Sequence, residues 1–100
     1  MLYAIICEDS PESLSKRMSV RSAHLQRLSA LQDQGRLVLA GPHPAIEAEN
    51  PGEAGFTGSL IVAEFADMAA AKLWADADPY RVAGVYANVV IKPFKQVFPQ

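Results

Sequence analysis

His24 is the side chain in this sequence best suited to moving a proton, and it follows Arg17 and Arg21 by seven and three positions. Imidazole is the ordinary side chain that changes charge close to neutral pH. On a helical wheel at about 100° per residue, with Leu28 at 0°, Leu14, Leu25 and Leu31 lie within about 60° of it, and Arg17, Arg21 and His24 fall at about −20°, +20° and −40°. Three cationic or cationisable groups thus share the leucine face, where a solvated charge is not expected. Charge on such a face needs a partner or a polar cavity, so this end of the helix is expected to overlook a cleft. The plainer alternative is a pair of arginines reaching past the helix rim and a hydrogen-bonded core histidine.

The companion feature is Asp78-Pro79-Tyr80. Asp78 can simply cap a short turn that Pro79 begins. It can also hydrogen-bond one ring nitrogen of His24, which would fix the tautomer and leave the other nitrogen as a general base. Arg17 and Arg21 would then hold negative charge on a substrate, with Ser59 or Tyr80 adding a hydrogen bond. His43 lies in a proline-rich stretch and is expected in solvent. Cys7, with no base near it in sequence, is expected to be a small core residue. The two histidines and single cysteine have no metal-ligand spacing, so no metal is expected. Gly52, Gly55 and Gly58 do not follow a strand and open a helix as a phosphate-binding loop must, and no cofactor is called for.

The elements that position these residues read as follows. Residues 2–8 are a continuous apolar run of β-formers, a strand covered on at least one face. Asp9-Ser10-Pro11-Glu12 is a helix-start signal, with Asp9 or Ser10 capping and Pro11 at the first helical position. The helix then runs to Gln34, with a break near residues 18–20 allowed by Ser19, and Gly35 stops it. Residues 36–40 form a second strand, and 41–58, with four Gly and three Pro, a long surface loop. Residues 57–65 form a third strand, and Asp67 caps a second helix whose Ala70, Leu73, Trp74 and Ala77 share a stripe. Asp78-Pro79 ends that helix, and residues 85–93 form a fourth strand. The order β-α-β-β-α-β predicts an α+β, ferredoxin-like domain spanning residues 1–98, an antiparallel sheet with both helices on one face. The third strand is apolar on both sides, so the second sheet face is expected to pair with another subunit's sheet in a homodimer or larger assembly.

Composition limits the partners. The chain has 100 residues, 50% hydrophobic and 20% charged, with a net charge of −2. That size suits one core; the charge balance argues against nucleic acid, and no apolar run is long enough for a membrane span. The charge is uneven. Lys16, Arg17, Arg21, Arg27 and Arg36 dominate residues 12–36, whereas seven acids face only Lys72 across residues 43–80. That distribution fits internal pairing or a small anionic ligand. A lone cysteine permits no internal disulfide and suggests a reducing compartment.

Taken together, MLYAIICED, SVRSAHLQRL, RLVLAGPHPA, PGEAGFTGSLIVAEF, WADADPYRVAGVY and VIKPFKQVF resemble the YciI-like (YCII-related) family, over nearly the whole chain. The resemblance implies a dimeric α+β barrel fold, a small cytoplasmic bacterial protein and an active-site His and Asp that map onto His24 and Asp78. Two kinds of function stand. One is a cofactor-independent enzyme moving a proton on a small anionic or phenolic substrate, in isomerase, lyase or dehydrochlorinase-like chemistry. The other is a non-catalytic dimeric module that binds a small ligand or a protein. A purely structural His24–Asp78 lock is the third possibility.

Overall fold

The structure is a computed structural model describing residues 1–100. Four strands, β1 (Leu2–Asp9), β2 (Leu37–Pro44), β3 (Phe56–Glu64) and β4 (Tyr86–Phe94), form an antiparallel sheet in the order β2-β3-β1-β4. Helices α1 (Leu14–Asp33) and α2 (Met68–Asp76) and the single turn α3 (Pro79–Val82) cover one face. This is the expected ferredoxin-like α+β architecture.

Period-two alternation sets the faces. Tyr3, Ile5 and Cys7 of β1 meet Ile61 and Ala63 of β3 beneath the helices, joined by Leu31, Phe65, Ala71, Ala75 and Val85. The other face carries Ile6, Leu60, Val62 and Val90, which the ladder registers place side by side. Asp67 caps α2 by accepting from the Ala70 N–H at 2.8 Å, and Gly35 leaves α1 at φ +70°, a conformation glycine adopts at no steric cost.

Two local expectations differ from the structure. Asp9-Ser10-Pro11-Glu12 does not open the helix. Asp9 still belongs to β1, opposite Tyr86, and Glu12 turns the chain at φ +58° before Ser13 takes the cap position. The strand wins because the Asp9 carboxylate is claimed elsewhere: Ser13 Oγ donates to it at 2.6 Å, and Arg17 grips both its oxygens. The stretch 41–58 is also shorter as a loop than its Gly and Pro content implied. β2 runs on to Pro44 and β3 starts at Phe56, paired through His43–Gly58 and Pro44–Phe56. β2 is an edge strand, where proline costs no ladder bond on its solvent side. α1 runs without the break allowed near residues 18–20.

Candidate active site

The three buried residues of α1 are Arg17, His24 and Leu31, spaced by seven. A stripe that packs on a sheet is normally apolar, so two ionisable groups in it must each be compensated. Each has its own carboxylate.

Arg17 and Asp9 form the first pair. Arg17 Nε lies 2.6 Å from Asp9 Oδ2, and Nη2 lies 2.9 Å from Asp9 Oδ1, with the two side chains 6% and 2% exposed. Nη2 is also 2.9 Å from the Gly58 carbonyl and from Ser59 Oγ. The bidentate geometry is the strong form of this interaction. Burial pulls the guanidinium pKa down, but the Asp9 hydrogen bonds and charge outweigh it and hold it above its usual value. Gly58 has to be glycine here, since a Cβ would collide with the Cys7 carbonyl oxygen.

His24 and Asp78 form the second pair. His24 Nδ1 and Asp78 Oδ1 are 2.8 Å apart across 54 residues of sequence, with both side chains buried. The same Oδ1 accepts the Tyr80 N–H at 2.9 Å and caps α3. The two roles weighed for Asp78 are therefore compatible, and one oxygen fills both. A carboxylate only accepts, so Nδ1 is assigned as the donor and Nε2 is left with its lone pair. Nε2 makes no hydrogen bond within the chain.

His24 lines a cavity of about 790 Å³. α1 supplies one wall through Leu14, Arg17, Met18, Arg21 and Leu25, β2 another through Ala40, Gly41 and Pro42, and the segment 50–53 closes a side. The short β2 side chains leave the space open. Ser59, Tyr80 and Phe56 also line it, so all six candidate residues border one cavity or, for Asp78, stand behind a residue that does. Arg21 is exposed there and pairs with no carboxylate. Tyr80 is buried, and desolvation raises its phenol above the usual range despite the pull of Arg17 and Arg21. No group of three or more His, Cys, Asp or Glu side chains converges anywhere. Cys7 is buried in the core as expected, and burial pushes its thiol up to about 12.

The residue that sequence reasoning missed is Asp9. Its signal was present: Tyr3, Ile5, Cys7 and Asp9 continue one strand face, so alternation alone aims Asp9 at the helix. The helix-start pattern at 9–12 masked it.

The YCII-related domain profile matches residues 1–95. The chain belongs to the YCII-related family. It is 59% identical over 98 residues to Protein YciI of Escherichia coli O6:H1, covering 98% of this chain and 100% of that one. An uncharacterised protein of Haemophilus influenzae is 57% identical with the same coverage. Among solved structures, the 5-chloro-2-hydroxyhydroquinone dehydrochlorinase of Burkholderia phenoliruptrix AC1100, in complex with 2,5-dihydroxybenzoquinone, superposes with a TM-score of 0.83 at 26% identity, covering 95% of this chain and 94% of that one. That protein of the same fold thus holds a small-molecule ligand. No helix of this family member is long and apolar enough to cross a membrane.

Proposed function

We propose that this protein is a small cofactor-independent enzyme in which His24 Nε2 takes a proton from a small anionic or phenolic substrate in the α1–β2 cavity. The 2.8 Å contact from His24 Nδ1 to Asp78, with Nε2 unclaimed in a residue that lines the cavity, carries this reading. As a C–H or O–H beside a carbonyl gives its proton to Nε2, the bond pair stays on the substrate as an enolate or phenolate. From there the proton returns at another atom (isomerisation), or the pair expels a leaving group (elimination). Arg21 faces the developing anion with its charge uncommitted. Arg17 brings a guanidinium whose Nε and Nη2 are already occupied, and Ser59 and Tyr80 border the same space. A dehydrochlorinase of the same fold supports elimination as one such outcome.

The working unit in this proposal is a homodimer in the cytoplasm. The sheet face away from the helices leaves Ile6, Leu39, Val90 and Phe94 at 37%, 48%, 39% and 40% exposure, an apolar patch of the kind that marks an interface. Sedimentation should give twice the monomer mass, and Ile6→Lys should halve it.

The functional test is a thermal-shift screen of small organic acids, phenols and 2,5-dihydroxybenzoquinone, followed by turnover assays on each binder. A ligand at 100 times its Kd should stabilise the fold by about 2.7 kcal/mol, and His24→Ala should abolish turnover while Arg21→Ala weakens binding. Binding without turnover in the wild type would make the protein a non-catalytic binder. If no compound shifts the melting temperature and His24→Ala and Asp78→Ala only destabilise, the pair is a structural lock.

A further inference from the structure

We propose that Tyr80 is a positioning residue that acts on His24 through the face of its ring, setting the imidazole plane and stabilising the imidazolium that forms when Nε2 takes a proton. This rests on the reading of His24 as a base. The Tyr80 and His24 ring centroids are 3.8 Å apart with an interplanar angle of 8°. Arg17 Cζ stands 5.0 Å from the Tyr80 centroid. Arg17 and His24 are seven residues apart on one helix face, about 10.5 Å along its axis, and the Tyr80 ring is close to both side chains. Tyr86 braces it edge-on at 5.6 Å and 88°.

The tripeptide Asp78-Pro79-Tyr80 therefore holds the imidazole twice. Asp78 Oδ1 takes its Nδ1 edge, Tyr80 takes its face, and the Tyr80 N–H donates to that same Oδ1. Edge and face together hold the ring against the side-chain rotations that would swing Nε2 out of the cavity. A neutral imidazole on a phenol ring gains dispersion only; an imidazolium also gains attraction to the negative ring face.

The other charges around His24 are accounted for. On α1, Arg17 is offset by Asp9 from β1, Arg21 faces the cavity, and Arg27 packs over Trp74 of α2 and feels Asp78. β3 contributes only the uncharged Ser59, and burial keeps the Tyr86 phenol of β4 and the Cys7 thiol of β1 protonated. The ring face of Tyr80 is the feature that distinguishes imidazolium from imidazole without carrying a charge of its own.

The test is an NMR pH titration of His24 in the full chain, with Tyr80→Phe, Tyr80→Leu and pentafluorophenylalanine in place of Tyr80. Tyr80→Phe keeps the ring face and should leave the titration unchanged. Tyr80→Leu and the fluorinated ring, which keeps the shape but inverts the quadrupole, should each lower the His24 protonation constant by roughly two- to fivefold. If Tyr80→Leu does not fold, the fluorinated protein gives the answer alone. A Tyr80→Phe shift as large as that of the fluorinated ring would assign the effect to the hydroxyl, and no shift in the fluorinated protein would remove the role; either result overturns the proposal. Neither ligand nor turnover enters this readout, so its failure and the failure of the ligand screen are told apart.

Discussion

Two buried side-chain–carboxylate pairs hang from the same face of α1, two turns apart, and they are built for different ends. Arg17 meets Asp9 with two nitrogens and spends one of them again on Gly58 and Ser59. His24 meets Asp78 with one nitrogen and keeps the other unbonded beside the cavity. Both pairs are buried, both tie α1 to another element, and Tyr80 touches both cations' side chains. Burial and pairing therefore do not separate a structural group from a reactive one. Proton chemistry does: guanidinium does not release its proton in any accessible pH range, whereas an imidazole with a free nitrogen can both accept and return one.

Breaking the first pair should produce the largest stability loss. Asp9→Ala leaves a guanidinium buried without its counter-charge and should cost about 3–5 kcal/mol in denaturant unfolding. The double variant Asp9→Leu with Arg17→Met should recover most of that loss, because the penalty comes from the orphaned charge and not from the missing pair. Recovery of nothing would mean that Arg17 is needed to hold Gly58 and Ser59 in place.

The second pair should be cheaper to break for the fold. Asp78→Ala removes a helix cap and the His24 partner and should cost about 1–3 kcal/mol. Asp78→Asn, which still caps, should cost clearly less by the same unfolding measurement. Its effect belongs to the chemistry of His24, and a loss as large as that of Asp9→Ala would erase the distinction between the pairs.

The core between the pairs gives a pH signature. Cys7 sits opposite Ser59 in the β1–β3 ladder, and burial, reinforced by Asp78 and Asp9, pushes its thiol from 9.0 to about 12. Between those values the folded chain keeps a proton that the unfolded chain has lost. Stability should thus be intact below about pH 9 and fall as pH rises toward 12; burial of Tyr80 and Tyr86 acts in the same direction. Unfolding at a series of pH values should show a shallower alkaline decline in Cys7→Ala than in the wild type. Equal slopes would remove the thiol from the account.

The smallest effect belongs to the exposed pair of Lys72 and Asp76, at 2.9 Å on α2 with side chains 67% and 54% exposed. Lys72→Ala should change stability by less than about 0.5 kcal/mol. A larger change would show that distance alone ranks these pairs and that burial adds nothing.

Much of this was legible in the sequence, and the reasons are local. The strands and α2 follow from alternation, helical spacing and the Asp67 cap. His24 and Asp78 were legible because a histidine and two arginines on a leucine face require compensation, and an Asp-Pro turn supplies a fixed carboxylate. Arg17 was visible, but its engagement with Asp9 was not. The segment 9–12 carries two overlapping patterns, and the helix-start signal is the stronger one locally; only the tertiary pull of Arg17 on the carboxylate decides for the strand. The extension of β2 and β3 past Gly41 and Pro42 was hidden for a similar reason. Ladder partners 15 residues apart, as in His43–Gly58, override a local composition that favours a loop. The Tyr80 stack depends on the depth at which α3 meets α1, which no spacing in the sequence encodes.

The difference between the pairs rests on which nitrogen of His24 is free. NMR measurement of the His24 side-chain nitrogen shifts in the neutral ring reads this directly. The account predicts a proton on Nδ1, hydrogen-bonded to Asp78, and a lone pair on Nε2, with that preference lost in Asp78→Ala. A proton on Nε2 in the wild type, or a tautomer indifferent to Asp78→Ala, would contradict it.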